Sequence, residues 1–205
     1  MGSQLHIIYR INEHDEIVFV NDQWSQVGVK NAAPEIVSEK ILGHSLWSFI
    51  CGNMVKDVYR QILRQARSGQ LLRFNFRCDS ADVRRFLELS VSLVDNGDLQ
   101  FKSRTIWAQA RQPQMLFDTD APRGDDVLII CSWCKKINTN GDIWEEVEDA
   151  VVSLGLFELK VLPQLSHGMC NGCYRKITKE YQTRFDEINF ERLRRRLAKS
   201  NTIAT

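Results

Sequence analysis

The chain has 205 residues, 43% of them hydrophobic, with five Trp and ten Phe, enough for one large domain or two small ones. Lys plus Arg number 27 against 26 Asp plus Glu, a balance that excludes a global field steering the protein toward nucleic acid or acidic surfaces. No run of eighteen apolar residues is present, and the start Met1-Gly-Ser-Gln-Leu-His6 lacks the basic and apolar regions of a signal peptide, so the expectation is a cytoplasmic protein with no membrane association.

In chain order, residues 5–12 and 16–20 are β-branched and aromatic runs around the turn signal Glu13-His14-Asp15, which predicts a hairpin. A polar stretch with Trp24, Val27 and Val29 follows, then a short helix from Pro34 to Leu42, closed by Gly43. Ser45–Ile50 reads as a single apolar turn. Asn53 is the expected N-cap of a helix in which Val55, Val58, Tyr59, Ile62, Leu63 and Ala66 recur at helical spacing until Gly69. Three strands come next, Leu71–Cys78, Phe86–Val94 and Leu99–Trp107, the last two joined at Asn96-Gly97. Strands segregated from helices in this order predict an α+β domain with an antiparallel sheet.

Residues 108–126 carry two prolines and a glycine with little periodicity, and mark the domain boundary, with Met115-Leu116-Phe117 expected to dock back on the sheet. The domain reading is therefore 1–110, a linker at 111–126, a cysteine module at 127–178 and a tail at 179–205. Val127–Ile130 reads as a short strand. Trp144, Val147, Val151 and Leu154 recur at helical spacing behind Glu145, Glu146 and Glu148, which predicts a helix packing Trp144 against the cysteine core. From Cys170 onward the pattern is again helical, through Tyr174, Ile177, Tyr181 and Phe185 to Leu197. Arg192, Arg194, Arg195 and Arg196 lie along its end, a basic amphipathic helix suited to partner docking or self-association.

The chemistry sits in two Cys-x-x-Cys knuckles, Cys131-Ser-Trp-Cys134 and Cys170-Asn-Gly-Cys173, with thirty-five residues between them. Zn²⁺ takes four soft ligands in a tetrahedron, and two knuckles complete a structural four-thiolate site with no open position. Lys135, Lys136, Arg175 and Lys176 flank the knuckles and would offset the excess negative charge. Gly168 and Gly172 fit turns that need positive φ or close approach to the metal. His167 has three open roles: to replace a cysteine as ligand, to hydrogen-bond to one, or to face solvent. A redox pair would need one exposed, activated thiolate beside a resolving partner, and nothing distinguishes the knuckles in that way.

The order of elements resembles a PAS domain, a sensory module in which a five-stranded sheet cradles a few helices. The residues that carry the resemblance are Val18-Phe19-Val20-Asn21-Asp22-Gln23-Trp24, Gly43-His44-Ser45-Leu46-Trp47-Ser48-Phe49-Ile50, and Phe76-Arg77-Cys78-Asp79-Ser80 with Arg84–Leu89. The last of these is similar to a bacterial subset that travels with a Cys-x-Trp-Cys-Lys-Lys-Ile module ending in Ser-His-Gly-x-Cys-x-x-Cys, here residues 131–137 and 166–173. The ligand arrangement of that module, a knuckle opening a helix, is similar to treble-clef zinc sites.

The resemblance implies signal reception, often in two-component pathways, while the apolar stripe of the C-terminal helix points to a protein partner and a homodimer. No kinase ATP-site motif, phosphate loop or receiver-like acidic cluster accompanies it. Trp24, Trp47, Phe49, Tyr59, Phe74 and Phe76 would line or fill the PAS interior, around a small metabolite or nothing. Neither Cys51 nor Cys78 sits in a flavin-reactive motif, and His44, the histidine of the helical region, reads as exposed or as a local hydrogen-bond partner rather than a haem ligand. The expectation is a non-catalytic sensing and interaction protein. The alternatives are a nucleic-acid-binding regulator using the module and the Arg-rich helix, or a thiol/zinc redox switch. No hydrolase triad, zinc-protease helix or phosphate loop points to an enzyme.

Overall fold

The β-branched and aromatic residues that open the chain pair as two short strands, β1 (His6–Ile11) and β2 (Ile17–Val20), in an antiparallel hairpin. They belong to a computed structural model that describes residues 6–24, 26 and 38–179. The hairpin turn is tied down from a distance: Asp15 accepts from Trp47 Nε1 at 2.9 Å and from Arg67 Nη2 at 2.6 Å. Asn21 fixes the far end, accepting from the Ile8 N–H and donating to the His6 carbonyl. The expected helix from Pro34 lies mostly outside the described residues, which take up again at α1 (Ser38–Ile41).

The helix α2 (Asn53–Arg67) turns Val55, Val58, Ile62, Leu63 and Ala66 into the core. Its N-cap is Gly52 rather than Asn53, because the chain enters at φ 82°, a conformation that favours glycine. A Cβ on Gly52 would stand 3.4 Å from the His167 carbonyl, so the helix start lies close against the second knuckle's approach.

Three long strands follow, β3 (Leu72–Arg77), β4 (Val83–Leu93) and β5 (Leu99–Ala110), and the antiparallel sheet runs β2-β1-β5-β4-β3. Strand side chains alternate between faces. Leu72, Phe74, Leu87, Leu89, Val91, Leu99 and Phe101 accordingly point at α2 and are buried, while Arg73, Glu88, Ser90, Lys102 and Arg104 occupy the other face. Each fully buried aliphatic or phenyl side chain contributes about 1.5–3 kcal/mol relative to exposure.

A second, mixed sheet is built from β6 (Arg123–Cys131), β7 (Ile137–Asn140), β8 (Ile143–Glu145) and β9 (Leu162–Gly168), in the order β8-β7-β6-β9, with β6 and β9 parallel. β6 begins at Arg123, inside the segment read as linker. Trp144 lies on β8, in a hairpin with β7 at Asn140–Ile143, and the helix behind it is shorter than its apolar spacing implied, α3 (Val147–Ser153). Trp144 nonetheless packs against the core that holds Cys131 and Cys170. Leu116, fully buried, joins Ile130, Ile137, Val147, Val151 and Leu162 in the second sheet's own core, so its triplet docks there and not on the first sheet. The last described element is α4, residues 171–179.

The architecture is mixed α+β: a five-stranded antiparallel sheet, a second sheet and a cysteine cluster. The core under the first sheet does not stop at its edge. Ile62, Leu72, Phe74 and Leu89 share one buried cluster with Cys131, Trp133, Met169, Cys170 and Ile177. No helix among the described residues is long and apolar enough to cross a membrane.

Candidate metal centre

β6 delivers Cys131 at its last residue, and the chain then folds back on itself: Lys135 N–H donates to the Cys131 carbonyl at 3.0 Å and Cys131 N–H to the Lys136 carbonyl at 2.8 Å. Closing so tight a loop puts Lys135 at φ 62°, the strained position of this knuckle. β9, paired alongside β6, carries the chain to Gly168, where Ser132 N–H donates to its carbonyl, and the second knuckle opens α4. Two adjacent parallel strands therefore place both knuckles at one end of the sheet.

The sulfur atoms of Cys131, Cys134, Cys170 and Cys173 all lie within 4.8 Å of one another. Cys134 Sγ and Cys170 Sγ are 3.8 Å apart. A tetrahedron with metal–sulfur bonds of about 2.3 Å has sulfur–sulfur edges of about 3.8 Å, so the spacing fits Zn²⁺. Backbone N–H groups of Cys170 and Cys173 point at Cys131 Sγ and Cys170 Sγ, at 3.4 and 3.3 Å, donors that stabilise thiolate charge. All six cysteines are free thiols, and Cys51 and Cys78 are exposed and not members of the cluster.

Without metal, Cys131, Cys134 and Cys173 share protons unequally. Hydrogen bonds from Cys134 and Cys173 hold the Cys131 thiol far below its usual value, against the opposing effect of burial. The reciprocal interaction with Cys131 pushes Cys134 up to about 12, and Cys131 and Cys134 together raise Cys173 further. One thiolate shared among thiol donors is the arrangement that a divalent cation displaces, taking the protons' place.

His167 is not one of the clustered ligands. It stands near the surface, where desolvation of the ring and the charge of Lys135 hold it below the ordinary imidazole value. Neither Gly168 nor Gly172 has positive φ. Gly168 is needed for a different reason: a Cβ there would come within 2.7 Å of Ile129 Cγ2 across the β6–β9 pair.

The site is bound to the first sheet by polar contacts that leave no spacing signal in the sequence. Arg77, buried at the end of β3, donates its backbone N–H to the Trp133 carbonyl at 2.8 Å. Its guanidinium bridges Asp79 and Glu146, the latter at 2.6 Å. Arg111 joins Asp79 to Glu148 at 3.3 and 3.1 Å, and Arg84 reaches Glu148 at 2.9 Å. Four charged side chains, Arg77 of β3, Asp79 just after it, Arg84 of β4 and Arg111 after β5, thus enclose the start of α3 with its Glu146 and Glu148. On the other side, Tyr174 of α4 donates its hydroxyl to Asp57 of α2 at 2.8 Å.

A cavity of about 250 Å³ opens where the knuckle meets the sheet. Phe49, Tyr59, Phe74 and Phe76 line it, while Trp24 and Trp47 stand elsewhere. Trp24 packs edge-on against Tyr9 at 5.3 Å, and Trp47 is engaged by Asp15 and by Arg60 over its ring. Trp133, between the first two cysteines, forms a wall that composition alone did not point to, 4.9 Å from Phe74. Arg192, Arg194, Arg195 and Arg196 lie outside the described residues. Compared with known proteins, the chain gave no match to a family model and no match to a curated protein.

Proposed function

We propose that this chain is a non-catalytic sensing and interaction protein: a PAS-like input sheet joined to a treble-clef-like zinc knuckle pair that anchors an output helix. The observation that carries the reading is the single buried cluster running from Ile62, Leu72 and Phe74 into Cys131, Trp133 and Cys170. A change in packing beneath the sheet therefore meets the metal ligands directly. PAS-like identity is supported by the element order, with two strands, helices and then three strands in one antiparallel sheet. Treble-clef likeness is supported by the β7–β8 hairpin between the knuckles and by the second knuckle opening α4. Four thiolates fill a tetrahedral Zn²⁺, leaving no position for a substrate water, which favours a clamp over a catalyst.

As input and output parts of a signalling protein, the chain would act as a homodimer or on a protein partner through α4 and the Arg-rich segment of sequence that follows it. Sedimentation of the zinc-loaded chain, alone and with duplex DNA over a range of salt, tests this. Self-association that ignores DNA is the expected result. Binding to DNA that falls steeply with salt would instead make the Arg-rich segment a nucleic-acid contact.

A further inference from the structure

The cavity between the two sheets has an asymmetric wall. Its floor is buried and apolar: Val55, Phe74, Leu89 and Trp133 are each less than a tenth exposed. Its mouth is formed by the exposed residues Phe49, Cys51 and His167. Five of the lining side chains are aromatic, and an aromatic guest can pack edge-to-face or offset against such rings, a gain beyond the area it buries. Ser132 and His167 are the polar residues near the opening, and among the described residues neither side chain has a hydrogen-bond partner.

Size narrows the class of occupant. A dry protein cavity of about 150 Å³ holds benzene. The space here, about 250 Å³, takes one ring with a substituent or two fused rings, and is too small for haem or a flavin. The second constraint is position. Ser132 and Trp133 lie between metal ligands Cys131 and Cys134, and His167 adjoins the strand end that feeds Cys170. Any molecule seated in the cavity packs against the loop whose closure brings the first two sulfurs together.

We propose that this cavity binds a small planar aromatic molecule carrying one hydrogen-bonding group, and that its occupancy tightens zinc binding through the wall at Ser132–Trp133. The ring lies against Phe74, Phe76 and Trp133, and the polar substituent faces Ser132 and His167 at the mouth. This rests on the reading of the four cysteines as a zinc site, and it identifies the input as a ligand rather than light or redox state. Coupling is reciprocal: the factor by which ligand improves zinc affinity equals the factor by which zinc improves ligand affinity.

The test uses the full chain with indole as probe. Zinc content is measured first, so that absence of metal counts against the zinc site itself and not against the cavity. Calorimetry of the zinc-loaded chain is expected to show saturable binding of indole, with toluene, which lacks the polar group, weaker by about tenfold. Competition for zinc with a chromophoric chelator is expected to show about fivefold tighter metal binding at saturating indole. Phe49→Trp, at the exposed rim, is expected to abolish indole binding while leaving zinc content and thermal stability as in the parent chain. No saturable binding of indole, or binding equal in Phe49→Trp, overturns the site. Binding that leaves zinc affinity unchanged overturns the coupling, and equal affinity for toluene overturns the polar contact.

Discussion

The backbone N–H of Arg77, the last residue of β3, donates to the carbonyl of Trp133 at 2.8 Å. The edge strand of the first sheet is therefore continued by the first cysteine knuckle rather than ending in solvent. The same residue's guanidinium ties Asp79 to Glu146 at the entrance to α3, and stacks toward Phe86 with 5.9 Å to the ring centroid. One arginine thus holds the two sheets by its backbone and by its side chain.

Arg77→Ala is expected to destabilise the zinc-loaded chain by about 3–5 kcal/mol, because Asp79, whose side chain is fully buried, is left with weakened compensation. Arg77→Lys is expected to recover little of this, since one ammonium cannot reproduce a planar fork spanning two carboxylates. Urea unfolding at neutral pH measures both. A loss below about 1 kcal/mol for Arg77→Ala would mean that Arg111 alone satisfies Asp79.

Glu148 gives the network its pH dependence. Burial raises its pKa, but its own backbone N–H and the charges of Arg84 and Arg111 outweigh that and lower it. A carboxyl lowered on folding contributes stability that is present above its unfolded value, about 4.3, and is lost as pH falls through the folded value. Glu148→Gln is therefore expected to be less stable than the parent at neutral pH and to converge with it in acid. Thermal melts across the acid range follow this directly, and a constant gap at every pH would contradict it.

Gly168→Ala is expected to strain the β6–β9 pair, because the new methyl would stand 2.7 Å from Ile129 Cγ2. The cost of such overpacking is about 1–3 kcal/mol. Ile129 is largely exposed, so Ile129→Ala removes the clashing methyl at little expense of its own. The double variant is expected to regain most of the loss, a coupling that a double-mutant cycle reads. Additive effects would show that the strand shifts instead.

Zinc loading is expected to release protons, because Cys134 and Cys173 hold theirs in the metal-free cluster while Cys131 carries the thiolate. Apparent affinity should then rise with pH, and the calorimetric heat should vary with the ionisation enthalpy of the buffer by at least the two protons of Cys134 and Cys173. Heats independent of buffer would contradict this.

Much of this was legible beforehand because it depends on local pattern. The alternation of Phe86–Val94 and the Asn96-Gly97 turn predicted β4 and β5, and the paired Cys-x-x-Cys spacing predicted the four clustered sulfurs. The errors arose where a short segment satisfies two periods. Trp144 fits a helical stripe with Val147 and Val151, yet the tight turn at Asn140–Ile143 commits it to β8, and pairing with β7 decides the outcome. The parallel pairing of β6 with β9 and the network around Arg77 have no local signal. They join residues tens of positions apart, and single charges on strands read equally well as solvated surface.

Cys131, Cys134, Cys170 and Cys173 cluster closely enough to hold one metal ion, with Cys131 and Cys170 in the buried core. Native mass spectrometry of the full chain, set against its denatured mass, decides whether they do. An excess of one zinc per chain is expected, lost together with the native charge-state distribution in Cys131→Ser. A native mass with no metal, and a denatured mass lowered by the hydrogens that disulfide formation removes, would contradict it and make the knuckles a redox pair.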